Sequence, residues 1–350
     1  MNPLRINEQE IIIQLNNNVR DLAGKGRFSG AVLLADKERI LYNQAFGFAN
    51  EEQGILNSIN TKFDLASMSK MFTSVAIAIL EEEKKLSFHD SVSQYIADFP
   101  CSRVTIHHLL THSSGVGDFF NKEFLERRAN LKKVSDYLPL FVEDKLQFEP
   151  GSRFEYSNGG YILLGIIIEN LTNLSYFEYI KKHIFHPLDM NDTDTCLADA
   201  NNVQLAIGYT NFQFDGSFQE EKTDNLSIRS NGSPAGGGYS TVKDLWRFSK
   251  GLLENRLISV EQTRKLITQK ENIYSDETST LGYGYGFFVE RINGHQIIGH
   301  DGGFPGVSNR LDIYPDNEYI FIALSNDDGG GATLTREARK LFTKHNANNS

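Results

Sequence analysis

The chain predicts a mixed α/β fold, an antiparallel sheet flanked by helices, with a mostly helical domain inserted into it. Three observations predict this. Two apolar runs, Gly30–Ala35 and Ile40–Phe46, stand on either side of a polar turn at 36–39 and read as a hairpin. Strand-like runs recur near the C-terminus, at 285–290, 296–299, 308–314 and 319–325, joined by short turns that suit antiparallel pairing. Between these flanks lies a long stretch dominated by helix-period runs and loops. Residues 1–65 and 232–350 are therefore assigned to the sheet domain and 66–231 to the helical insertion, with a pocket expected at their interface.

The other elements follow in chain order. Residues 8–23 have helical character. From Met71 to Leu80 there is no charge before Glu81, so this helix is apolar all round and belongs in the interior. A second apolar helix, Tyr161 to Glu169, follows the turn signal Glu149-Pro150-Gly151. After Ser240 the pattern is amphipathic instead. Val242, Leu245, Trp246 and Leu253 make one face, and Lys243, Arg247 and Lys250 the solvated one. A final helix is predicted over 333–344.

Composition narrows the class. A chain of 350 residues can bury a large core. Its net charge of −10 argues against a nucleic-acid partner and against a polybasic membrane contact. With 40% hydrophobic and 23% charged residues it has the make-up of a soluble globular protein. Two cysteines, Cys101 and Cys196, make no disulfide framework and are expected as thiols. No run approaches the length of a membrane span. Residues 1–20 lack the charged, apolar and cleavage regions of a signal peptide, so the chain as written is expected in the cytoplasm; export with the signal removed is the alternative. The oligomeric state is not predicted.

The strongest chemical signal is Ser67-Met68-Ser69-Lys70. Positions i and i+3 share a helix face, so the Lys70 amine reaches the Ser67 oxygen within one turn. A serine becomes a good nucleophile when a neighbouring base takes its proton, and a lysine is such a base when burial lowers its pKa. Lys70 shares its face with Thr73, Ser74 and Ile77 and has no solvated stripe to lie on. The same spacing recurs at Ser240-Thr241-Val242-Lys243, but there Lys243 falls on the charged face, and Ser240 or Thr241 caps a helix.

Two further groups complete the set. Tyr156-Ser157-Asn158 places a phenol, able to relay a proton, two residues from a carboxamide that binds an amide oxygen or the lysine. Gly299-His300-Asp301-Gly302-Gly303-Phe304-Pro305-Gly306 is expected to close a strand and open a tight glycine-rich turn, with His300 as a titratable group at the lip.

In order and spacing, Ser67-Met68-Ser69-Lys70, Tyr156-Ser157-Asn158 and His300-Asp301-Gly302 resemble the S-x-x-K, Y-x-N and K/H-x-G motifs of the penicillin-recognising serine hydrolases. The nearest resemblance is to the branch of class C β-lactamases, D-alanyl-D-alanine carboxypeptidases, D-aminopeptidases and family VIII esterases. It runs from about Phe28 to Asn326 and includes the flanking phrases at 105–115 and Pro234-Ala235-Gly236-Gly237.

The resemblance implies acyl transfer through a serine ester, without cofactor or metal, on a small-molecule or peptide substrate. Ser67 is the implied nucleophile, Lys70 the general base, and Tyr156 its partner or the alternative base. Asn158, His300, Asp301 and Gly302 are the implied substrate-binding residues. The backbone N–H groups of Ser67 and Gly303 are the implied oxyanion hole. One departure bears on substrate. Where lactamases carry a lysine that holds the substrate carboxylate, this chain has His300, and Asp301 replaces the usual threonine or serine. Asp301 either repels an anion or raises the His300 pKa and restores a cation. Esters and D-configured peptides or amides are therefore expected ahead of β-lactams. A true β-lactamase or D-alanyl-D-alanine carboxypeptidase is one alternative; a ligand sensor that acylates and stalls, or an assembly protein, is another.

Competing motifs are weaker. His107, His108 and His112 lack the glutamate of a zinc-protease helix. Gly282-Tyr283-Gly284-Tyr285-Gly286 lacks the lysine-serine pair of a phosphate loop and reads as strand glycine. No G-x-S-x-G elbow occurs.

Overall fold

The computed structural model describes residues 8–97, 99–196, 205–213, 215–229 and 231–343. Residues 1–7 of the polar N-terminus and Lys344, the last residue of the predicted final helix, lie outside them. The architecture is mixed α/β. An eight-stranded sheet is formed by β1 (Gly30–Ala35), β2 (Ile40–Phe46), β3 (Glu271–Ser275), β4 (Ser279–Tyr283), β5 (Phe288–Ile292), β6 (His295–Phe304), β7 (Val307–Tyr314) and β8 (Tyr319–Ser325). Their spatial order is β2-β1-β8-β7-β6-β5-β4-β3, and every pairing is antiparallel. The sheet thus joins the two ends of the chain: β1 pairs with β8 in the register Gly30↔Ser325 to Ala35↔Ile320.

Side-chain alternation explains why β1 is buried along its whole length. Ala31, Leu33 and Ala35 enter one core, while Val32 and Leu34 enter the other. The second core is closed by α1 (Glu8–Gly24), through Leu15, Val19 and Leu22, and by the C-terminal helix through Leu334, Ala338 and Phe342. The larger core contains α2 (Lys70–Glu82), α3 (Asn158–Thr172) and α4 (Val242–Leu253). In α2 every residue from Lys70 to Leu80 is buried, as its lack of a polar face requires. The C-terminal helix, α5, spans Gly330–Phe342. Cys101 and Cys196 are both thiols.

Several elements differ from expectation. The segment His300-Asp301-Gly302-Gly303 is strand, not turn: β6 continues to Phe304, and the reversal comes at 305–306. Pairing to β7, at Gly302↔Asn309 and Gly303↔Ser308, draws these glycines into the ladder. The strand expected at 285–290 begins at Phe288 instead. A hairpin of Tyr209–Phe212 with Phe218–Asp224 lies inside the stretch expected to be mostly helical. Its second strand is mostly exposed, so it has no apolar alternation to announce it.

On the α5 face, Asp312 is fully buried between two arginines. Arg339 Nε lies 2.7 Å from Asp312 Oδ2 and Arg310 Nε lies 2.6 Å from Asp312 Oδ1, and both guanidiniums also contact Glu290. Burial pushes the Asp312 carboxyl up, but Arg339 and Arg310 outweigh it and hold the group well below the usual carboxylate range. Removing one member of a buried network leaves its partners uncompensated. Asp312→Leu is therefore expected to cost about 3–5 kcal/mol in urea-unfolding stability. Asp312→Leu combined with Arg310→Leu should cost less than the sum of the single losses.

Candidate active site

Ser67 lies in a single 3-10 turn, Ala66–Ser69, that leads directly into α2. Its neighbours Ala66, Met68 and Ser69 are buried, and Ser67 itself is partly exposed. Entry to the turn is strained: Ala66 has φ +46°, in the left-handed region that a residue with a Cβ avoids. Two contacts hold it there. The Ala66 N–H donates to Asp64 Oδ1 at 2.8 Å, and the Ala66 carbonyl accepts from the Gly237 N–H at 3.0 Å.

Lys70 is completely buried. Its ammonium donates to Asn158 Oδ1 at 2.6 Å and, over a short contact, to the Ala235 carbonyl; Ser67 Oγ is 3.4 Å away. The Tyr156 and Tyr161 rings lie 4.7 and 5.4 Å from it. Burial lowers the Lys70 pKa to about 7, with Asp118 and Asp301 pulling it back up. An amine of that pKa is neutral in a large fraction of molecules near neutrality and is then able to accept a proton.

Tyr156 precedes the cap of α3. Ser157 caps the helix by accepting from the Gly160 N–H, which places Asn158 in its first turn. The Asn158 amide is oriented from both ends: Oδ1 accepts from Lys70, and Nδ2 donates to Asp118 Oδ2 at 2.7 Å. Asp118 also accepts from the Asn158 backbone N–H at 3.1 Å. The Tyr156 ring stacks on His112 with centroids 4.2 Å apart. Burial pushes its phenol well above 10, and Ser67 pulls it partly back. His112 is buried, and its Nδ1 accepts from the Ser157 N–H at 3.1 Å. Burial and the nearby Lys70 keep its pKa well below the usual histidine range, so the ring is neutral.

Beside these groups lies a pocket of about 260 Å³ lined by Ser67, Tyr156, Asn158, Asp64, Arg229 and Gly303, with Phe119 and Phe120 on its wall. Of the residues expected at the site, Ser67, Tyr156, Asn158 and Gly303 line this pocket, and Lys70 lies buried behind Ser67 and Asn158. His112, Asp118 and Arg229 join them without a signal in the sequence for these roles: His112 stacks on Tyr156, Asp118 holds Asn158, and Arg229 lines the pocket.

The rest of the third motif is placed differently from expectation. His300 is not at the lip; it is fully buried. Its Nδ1 lies 2.6 Å from the Asp301 carbonyl, and a carbonyl only accepts, so Nδ1 carries the proton and Nε2 accepts from the Tyr283 hydroxyl at 3.0 Å. Burial lowers the His300 pKa to about 4, against the pull of Asp301, so no cation is restored at neutral pH. Strand alternation turns the Asp301 side chain, 57% exposed, to the cavity it shares with Arg310 and Arg339. Neither side chain lines the pocket. Gly302 packs against the Ser67 turn: a Cβ there would lie 2.2 Å from the Leu65 carbonyl oxygen. Gly303 faces open space.

The competing motifs fall elsewhere. Ser240 is buried and bonded to Thr193 at 2.7 Å, and Lys243 is exposed. Among the described residues no cluster of histidine, cysteine and carboxylate side chains is arranged to hold a metal, and no helix is long and apolar enough to cross a membrane.

Comparison with known proteins gives the family. The Beta-lactamase family model matches residues 15–344. Penicillin-binding protein 4* of Bacillus subtilis (strain 168) is 32% identical over 322 residues, covering 88% of this chain and 70% of that protein. Protein flp of Staphylococcus aureus (strain MW2) is 27% identical over 86% of this chain, which spans 60% of its length. The crystal structure of a penicillin binding protein from Bacillus halodurans superposes with a TM-score of 0.82 at 32% identity, covering 93% of this chain and all of that one. With a buried lysine behind a serine at the mouth of its pocket, this chain belongs to the β-lactamase family of penicillin-recognising serine hydrolases.

Proposed function

We propose that the chain is a serine hydrolase that forms an acyl-enzyme on Ser67 with esters or D-configured peptides and amides, and that it turns over β-lactams weakly. The observation that carries this reading is Lys70, buried, lowered to about 7 and 3.4 Å from Ser67 Oγ. In the proposed first step Ser67 Oγ bonds to the substrate carbonyl carbon while its proton passes to Lys70. The ester or amide bond then breaks as the leaving group takes that proton. Water adds to the acyl-enzyme, releases the acid and regenerates Ser67. The N–H groups of Ser67 and Gly303, two residues that line the pocket from separate segments, hold the oxyanion. Tyr156, whose phenol is costly to ionise where it sits, relays the proton as a neutral hydroxyl, and Asn158 orients Lys70.

Two facts support weak use of β-lactams. The position of the family's lysine is taken by a neutral histidine that does not reach the pocket. Two of the relatives are named for binding penicillin, and binding is a different property from turnover.

Labelling with a fluorophosphonate or a fluorescent penicillin, followed by peptide mapping, tests the nucleophile. The label is expected on Ser67, to vanish in Ser67→Ala and to persist in Ser240→Ala; the reverse pattern would refute the assignment. On a p-nitrophenyl ester a burst followed by steady turnover is expected, whereas a single stoichiometric burst would mark a sensor. Lys70→Ala and Tyr156→Phe should each lower turnover by roughly 10²–10⁴-fold, with less than additive combined loss, as members of one proton path.

The pH dependence has a definite sign. Only the neutral amine accepts a proton, so kcat/KM should rise through an apparent pKa near 7. Asp118 raises the Lys70 pKa, so Asp118→Asn should move that limb to lower pH. A limb that stays in place or moves upward would remove Lys70 from the role of base.

A further inference from the structure

We infer that Arg229 reads negative charge on the substrate: the pocket selects ligands bearing a carboxylate, held by the Arg229 guanidinium at a place separate from the third motif. The inference deepens the proposed function and takes from it only the identity of the pocket.

Arg229 lines the same pocket as Ser67, and its side chain is 11% exposed. A guanidinium carries five N–H donors and has no acceptor. Among the described residues one of these is used: Nη2 donates to the Ala206 carbonyl at 2.7 Å. Nε is buried and makes no hydrogen bond, for Asp64 Oδ2 stands 3.9 Å away. Asp64 meanwhile gives its other oxygen to the Ala66 N–H that shapes the nucleophile turn.

The molecule contains its own control. Arg310 and Arg339 are buried to a similar degree, and both are closed ion pairs. Arg339 makes four bonds of 2.7–3.0 Å to Asp312 and Glu290, and Arg310 contacts the same two carboxylates. A guanidinium that serves only to balance a buried acid closes in this manner. Arg229 does not; it lines the pocket with Nη2 alone hydrogen-bonded among the described residues, and a planar guanidinium suits a carboxylate. Asp64 and Asp224 are the acids that act on it electrostatically.

Its surroundings are also distinct from those of His300. Arg229 contacts Asp64 and Ala206, whereas His300 contacts Tyr283 and the Asp301 carbonyl. A carboxylate held at Arg229 would therefore be held by other partners than those around His300. An acidic substrate and weak use of β-lactams are compatible for that reason.

Binding measured calorimetrically on the full chain carrying Ser67→Ala tests this without any need for turnover. N-succinyl-D-alaninamide against N-acetyl-D-alaninamide places a carboxylate on the acyl side. N-acetyl-D-alanyl-D-alanine against its C-terminal amide places one on the leaving-group side. In one of the two pairs the acid should bind at least about tenfold more tightly, the size of one charge-assisted contact. Arg229→Gln should abolish that preference, Arg229→Lys should keep part of it, and Asp64→Asn should enlarge it. If Arg229→Gln misfolds, Arg229→Gln combined with Asp64→Asn leaves neither charge buried alone and should show the same loss. No acid preference in either pair, or a preference unchanged by both Arg229→Gln proteins, would overturn the inference. Failure of the wild type to label at Ser67 would instead sink the acyl-enzyme reading and leave this comparison standing.

Discussion

An ammonium group without water must be held by oxygen atoms, and much of the pocket region is arranged around that need. Lys70 sits inside the larger core on a helix with no polar face, so the Ala235 carbonyl and the Asn158 amide take the place of its hydration shell. Each of these is fixed in turn. Asn158 is held by Asp118 and by the helix start that Ser157 caps. The loop carrying Ala235 is tied to the Ser67 turn through Gly237, which binds both Ala66 and Ser69. The cost of burying one charge thus fixes the relative positions of three chain segments far apart in sequence.

The same burial sorts the charges of the site. Desolvation moves Lys70 and His300 down and Tyr156 up, so at neutral pH two of the three groups are neutral and the lysine is poised between its forms. Asp118 supplies the opposing pull that keeps Lys70 from falling further. Arg229 is the permanent cation among the pocket-lining residues.

Much of the site was legible because its signals are local. Ser67 and Lys70 lie one turn apart, and the absence of charge from Met71 to Leu80 already announces the burial of the lysine. Strands β1, β2 and β8 and helix α1 showed in their apolar patterns for the same reason. What escaped depends on contacts between distant segments. A run of glycines reads as a turn unless its ladder partner is known, and β7 supplies that partner, which buries His300 and turns Asp301 away. Asp118 and Arg229 are single polar residues in loops, with no pattern around them to mark a site. The left-handed Ala66 has no signal either, since alanine ordinarily avoids that conformation. His112 stood within a recognisable phrase, but only the fold shows it stacked under Tyr156.

Gly302 ties strand β6 to the Leu65 carbonyl just ahead of the Ser67 turn, with no room for even a methyl group. The pocket's serine wall and its strand wall therefore belong to opposite ends of the chain and meet only when the sheet has closed through β1 and β8. A ribosome-bound chain lacking its last strands would carry Ser67 and Lys70 without the surface that faces them. The surface that faces Ser67 should therefore form late in folding, once β6, β7 and β8 have joined β1.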